Sequence, residues 1–332
     1  MFMHKLAKQA GLSACGLIAA AAAYAFFSPR PAAWYVKRAF KGGLETEAPD
    51  FAEAAEQTVQ YQDIDYESQY RNGRLDIILT TKKEEKTPVI FWMHGGAYVG
   101  GDKQDTSKYA TYLAASGYNV ININYALAPT AAYPAPLIQL DEAYRYIKKH
   151  AEDYNIDLTN IFFAGDSAGA QIASQYAAIQ LNEGYSPWVP VRRHIDPLYI
   201  KGVLLFCGPY DLRQIAGAPL GWFNRFLFKR IGWAYIGTYN WEEAPALTEI
   251  SMLQRPPEKF APTFITDGNK NSFDAQGRKL AALLSRRVPV RDIFYDKDEL
   301  PVEHEYQFMM DKPAARQTFR SLTAFIDTYS RA

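Results

Sequence analysis

Cysteine is nearly absent from this chain: two occur in 332 residues, Cys15 within an apolar run and Cys207 within a strand-like stretch. Their settings are too unlike for pairing, so no disulfide framework is expected and the redox compartment cannot be read from them. Histidine is scarce as well. His4, His94, His150, His194 and His304 make no pair at helical or hairpin spacing, and Cys-x-x-Cys does not occur, so no metal-ligand pattern is present. Charge of one sign is not in excess, because 36 basic residues balance 36 acidic ones, which speaks against a nucleic-acid partner and its clustered basic surplus. Internal repeats are lacking, and the alanine-rich stretch near the N-terminus is the only biased tract. What remains is 48% hydrophobic and 22% charged residues, enough to bury one large core in a single α/β domain.

Long apolar runs are limited to one. Residues 10–27 follow Lys5 and Lys8 and precede Ser28-Pro29-Arg30-Pro31. Eighteen apolar residues just suffice to span a bilayer as a helix, whereas the apolar core of a cleavable signal is usually shorter. Residues 1–30 are therefore expected to be a membrane anchor. The alternatives are a signal cleaved after Ala23-Tyr24-Ala25, giving a secreted protein, lipidation at Leu12-Ser13-Ala14-Cys15, or a buried helix of a soluble protein. Cations flank the run on both sides, so the side of the membrane is not specified.

Downstream, strand-like and helix-like stretches alternate, with near-continuous apolar strands. This pattern predicts a mostly parallel sheet with helices on both faces. Residues 31–332 are expected to form one catalytic domain. Residues 212–259 break the alternation and carry Trp222, Phe223, Phe226, Phe228, Trp233, Tyr235, Tyr239 and Trp241. An insertion of this length is usually a lid or binding element, and with residues 31–60 it is expected to form a cap.

Within that alternation, Gly165-Asp166-Ser167-Ala168-Gly169 joins an apolar strand to a helix. A serine hydroxyl becomes a useful nucleophile when a sharp strand-turn-helix elbow presents it to a base, and glycines on either side let strand and helix approach. Ser167 is the expected nucleophile. About seventy residues upstream, another buried strand runs into His94-Gly95-Gly96-Ala97-Tyr98. Acyl transfer builds negative charge on the former carbonyl oxygen, and fixed backbone N–H groups meet it without reorganising. The loop at Gly95, Gly96 and Ala97, with the N–H of Ala168, is the expected oxyanion hole, and His94 is read as bracing that loop. The base should come late in the chain, and His304 is the histidine in that place.

With these motifs the chain resembles the hormone-sensitive-lipase-like branch of the α/β-hydrolase family from about residue 88 onward. Asn124-Tyr125-Ala126-Leu127-Ala128-Pro129 is similar to that family's Tyr-Arg-Leu-Ala-Pro segment, with Ala126 in place of arginine. The resemblance implies an α/β-hydrolase fold and an esterase acting on small to medium acyl chains, and it implies no cofactor. It places the catalytic acid at Asn271, which is not an acid. Two carboxylates at carboxyl ends of predicted strands stand in as candidates: Asp267, which is preferred, and Asp211. Competing readings are an amidase or peptidase with the same serine machinery, a catalytically silent binding protein, and a lipase working at a membrane surface.

Overall fold

Five consecutive strands of this chain are buried along nearly their whole length, so the sheet they build is covered on both sides. The computed structural model, which describes residues 24–82, 87–217 and 221–330, shows how this is done. The elements in order are α1 (Arg30–Ala39), α2 (Phe51–Glu56), β1 (Thr58–Asp65), β2 (Arg74–Thr80), β3 (Val89–Met93), α3 (Ser107–Ala115), β4 (Asn119–Ile123) and α4 (Ala135–Lys149). They continue with β5 (Ile161–Asp166), α5 (Ala168–Leu181), β6 (Ile200–Phe206), α6 (Leu212–Ala216), α7 (Trp222–Ile236) and α8 (Ala246–Ile250). The chain ends with β7 (Thr263–Asp267), α9 (Asp274–Leu284), β8 (Val290–Phe294) and α10 (Pro313–Ser330).

The eight strands form one sheet in the order β1-β2-β4-β3-β5-β6-β7-β8. β1 and β2 are antiparallel to each other, β2 is antiparallel to β4, and the remaining pairs are parallel. Alternation along each strand sorts the core into two layers. Phe91, Ile121, Phe163, Leu205 and Ile265 face α4, α5 and α9. Ile90, Trp92, Phe162, Leu204 and Phe264 face α3 and α10. This is the expected α/β-hydrolase arrangement.

The stretch 31–60, expected as part of the cap, divides. α1 packs on α7, with Tyr35 edge-on to Phe223 at 5.9 Å. α2 instead packs on α3, where Phe51 meets Tyr112, and β1 joins the sheet edge. The reason is local: Phe51 and Ala54 give the short α2 an apolar side that only the sheet's helical layer covers. Among the described residues no helix is long and apolar enough to cross a membrane. Cys15 and residues 10–23 of the apolar run lie outside the described residues.

Candidate active site

Ser167 follows β5 directly and starts α5, with φ 47° and ψ −117°. That is costly backbone for a side chain other than glycine. It is held by a 2.7 Å hydrogen bond from the Ser167 N–H to the Phe206 carbonyl of β6. The two elbow glycines have steric causes. A Cβ on Gly169 would collide with the Met93 carbonyl of β3, and one on Gly165 would collide with the Gly169 carbonyl group. The helix start therefore sits flush on the sheet, with the Ser167 hydroxyl at its rim.

The oxyanion loop leaves β3 on the same rim. Gly96, Ala97 and Tyr98 have φ of 103°, 52° and 64°. The N–H groups of Gly96, Ala97 and Ala168 meet no acceptor among the described residues. Gly95 is bonded differently from its neighbours. Its N–H is engaged, donating to Asp166 Oδ2 at 2.7 Å, and a Cβ there would strike that carboxylate. Gly95 thus fastens the loop to the elbow, and the loop N–H groups left without an acceptor are those of its neighbours Gly96 and Ala97. Asp166 also accepts from Trp92 Nε1 at 2.8 Å, and burial raises its carboxyl to about 6 against those two donors. His94 braces the loop from behind: it stacks on Tyr125 with centroids 4.4 Å apart, its Nδ1 lies 2.7 Å from the Gly95 carbonyl, and burial pushes it down to about 4.

His304 lies beyond β8, and its Nε2 is 3.1 Å from Ser167 Oγ. Its Nδ1 is 2.6 Å from Ser272 Oγ, and that hydroxyl makes a short hydrogen bond to Asp267 Oδ1. The directions follow from the donor inventory. An ionised carboxylate only accepts, so Ser272 O–H donates to Asp267 and its oxygen accepts from Nδ1–H, leaving Nε2 free to take the Ser167 proton. Burial lowers His304 to about 4, keeping the imidazole neutral. Burial raises Asp267 to about 7, opposed by the Ser272 hydroxyl and the Cys207 thiol. Cys207 Sγ, an Asp267 oxygen and a His304 nitrogen all lie within 4.8 Å of one another.

Asn271 does not join this chain of bonds. Its left-handed backbone, φ 54°, turns its side chain outward, where Nδ2 donates to Glu303. Asp211 is likewise engaged elsewhere: it caps α6 by accepting from the Arg213 N–H and also accepts from Gln214 and Gln254. Sequence reasoning missed Ser272 and Glu305. Nothing in the sequence sets Ser272 apart from other serines that follow a strand. Glu305, at φ 60°, carries its Oε1 to 3.6 Å from His304 Nε2 and faces Asp166, with burial and the Asp166 charge holding its carboxyl well above the usual range.

A family model, BD-FAE, matches residues 75–276, more than half of the chain. The chain belongs to the BD-FAE family. This BD-FAE chain is also similar in fold to solved esterases. Esterase B from Lactobacillus rhamnosis superposes with a TM-score of 0.73 at 20% identity, covering 83% of this chain and 87% of that one. The esterase from Pyrobaculum calidifontis gives 0.64 at 18%, covering 85% and 89%. A bacterial heroin esterase gives 0.63 at 19%, covering 82% and 84%. Esterase B is also known as a complex with a tributyrin phosphonate inhibitor.

Next to Ser167 the BD-FAE chain holds a cavity of about 50 Å³. Its walls are apolar and come from the loop and cap, including Tyr98, Leu212, Phe228, Ile231, Tyr235 and Trp241. Trp241 is fixed by its Nε1–H donating to the Lys229 carbonyl at 2.9 Å, and its indole lies where a Cβ on Gly232 would be.

Proposed function

We propose that the protein is a serine carboxylesterase for esters of short to medium acyl chains. The observation that carries this is the unbroken chain Ser167–His304–Ser272–Asp267, set beside a small apolar cavity and three free backbone N–H groups. In the proposed cycle, Ser167 Oγ bonds to the ester carbonyl carbon while His304 Nε2 takes its proton. The N–H groups of Gly96, Ala97 and Ala168 receive the oxyanion. Nε2 then gives the proton to the departing alkoxide, and an acyl-enzyme remains. Water repeats the sequence, its proton passing through Nε2 back to Ser167 as the acid is released. Asp267 stabilises the transient imidazolium through the Ser272 hydroxyl.

Hydrolysis of p-nitrophenyl esters by chain length, with matched amides alongside, tests the reading. Acetyl to butyryl esters are expected to be cleaved fastest and amides poorly; amides cleaved at comparable rates would replace the esterase reading with an amidase. The size of the cavity makes a further prediction. Trp241→Ala removes its wall and shifts the preference in kcat/KM from butyryl toward octanoyl by about tenfold or more, as lost methylene exclusion is worth ~1–3 kcal/mol. An unchanged ratio would mean that the acyl chain lies elsewhere.

For location, we infer attachment to a membrane through residues 1–30, supported by the apolar run at residues 10–27. The full chain is expected to stay with the membrane fraction through an alkaline carbonate wash. Recovery in the soluble fraction at a mass lacking those residues would favour the cleaved signal.

A further inference from the structure

We propose that the face built from residues 24–41 and α7 docks on an anionic lipid surface. Large aromatic side chains stand in water there: Phe27 is 75% exposed, Trp34 64% and Trp222 81%, with Phe26, Tyr35 and Phe223 beside them. Both parts stand on α7: Tyr35 meets Phe223 and Phe223 meets Trp222, while Phe26 meets Phe27 and lies over Arg230 of the same helix. Aromatic rings at the level of lipid headgroups, flanked by cations, are the usual composition of a membrane-surface element.

The two segments that build this face contribute charge of a single sign. Residues 24–41 and 221–241 carry Arg30, Lys37, Arg38, Lys41, Arg225, Lys229 and Arg230 and no acidic residue, in a chain whose total charge is zero. Lys229 pairs with Glu242, and the other six have no carboxylate partner among the described residues. Such a cluster suits the negative potential of anionic lipid.

Arg230 fixes the segment just before α1. It is buried, donates from Nη2 to the Phe26 carbonyl at 2.7 Å, and lies 4.9–5.7 Å from the ring centres of Phe26, Phe226, Trp233 and Tyr239. This clamp holds Phe26 on α7 and so ties residues 24–27 to the aromatic, cationic face. The other side of α7 supplies Phe228, Ile231 and Tyr235 to the acyl cavity, so docking brings the cavity wall next to the lipid. No step at Ser167 enters this proposal, and it goes beyond attachment through residues 1–30.

The test uses the full chain on phosphatidylcholine vesicles, with and without phosphatidylglycerol, carrying brominated acyl chains that quench tryptophan. The wild type is expected to be quenched, more strongly on the anionic vesicles. Most of that quenching should vanish in W34F/W222F, with vesicle attachment and ester turnover retained as checks on anchor and fold. Charge reversal in K37E/R225E should lower quenching on anionic vesicles only. Equal quenching in W34F/W222F overturns the docking face while leaving attachment through residues 1–30 standing. Protection of Trp34 and Trp222 from aqueous acrylamide before any vesicle is added overturns it too, because residues 1–23 or a second copy would then cover the face.

Discussion

Ser167→Ala lowers kcat for p-nitrophenyl butyrate by about a millionfold, the scale on which removing the nucleophile of a serine hydrolase acts. Alanine at 167 keeps the N–H that donates to the Phe206 carbonyl and the same strained backbone, so its thermal midpoint should match the wild type closely. The three backbone N–H groups also survive, and their binding of the carbonyl leaves a small residual rate above the aqueous reaction. Steady-state kinetics on protein free of wild-type contamination check this. A variant retaining activity within tenfold of the parent would remove Ser167 from the chemistry.

Asp267→Asn has the second largest expected effect, and its size distinguishes this site from one in which acid and histidine touch. In the direct arrangement an asparagine also imposes the wrong imidazole tautomer, and the loss reaches about 10⁴-fold. Here Ser272 stands between, and its hydroxyl can donate to an amide oxygen as readily as to a carboxylate, so the Nδ1–H tautomer is kept. What is lost is charge. An anion within 4.8 Å of the imidazolium is worth ~3 kcal/mol or somewhat more at an effective dielectric of about 20, so the expected loss in kcat is about 10²-fold.

The same substitution has a signature in pH. Asp267 is raised to about 7 and His304 is lowered to about 4. Wild-type kcat/KM therefore rises through pH 7 as Asp267 gains its charge, and Asp267→Asn loses that step and falls only as His304 protonates near pH 4. Stability moves oppositely. A carboxyl whose folded pKa lies above its unfolded one stabilises the fold only at low pH, and that contribution is lost as pH rises toward 7. Asp267→Asn is thus expected to be more thermostable than the wild type at pH 8, with the difference closing toward pH 4. Thermal melts at the two pH values measure it, and an equally stable or weaker variant at pH 8 would contradict the burial argument. Stability is sacrificed at this position for the charge that the histidine needs.

The parts of the site that were legible in the sequence are those built by short stretches of chain. The elbow at residues 165–169 and the glycine loop at residues 94–98 each carry their geometry in local sterics, and the β/α alternation around them fixes the rim of the sheet on which both stand. His304 was legible from its position after the last strand. Asp267 was the preferred acid from its place at the end of β7, but its link to His304 through Ser272 was not legible, because it depends on the turn after that strand. There the left-handed Asn271 points outward and Ser272 points in, which no residue spacing announces. Asp166, Gly95 and Glu305 meet from three separate regions, so the upward shift of the two carboxyls is a property of the packing alone. The division of residues 31–60 between α1 on the cap and α2 on the sheet has the same origin: both helices show an apolar side, and only the tertiary structure supplies its partner.

The central claim is that Ser167, activated by His304, forms the covalent intermediate. Treating the full chain with a fluorophosphonate and mapping the adduct by peptide mass spectrometry tests it most directly. The adduct is predicted on the peptide containing Ser167, with labelling strongly slowed in His304→Ala and still present in Asp267→Asn. Labelling of Ser272, the other serine touching His304, or no labelling of the folded protein, would contradict it.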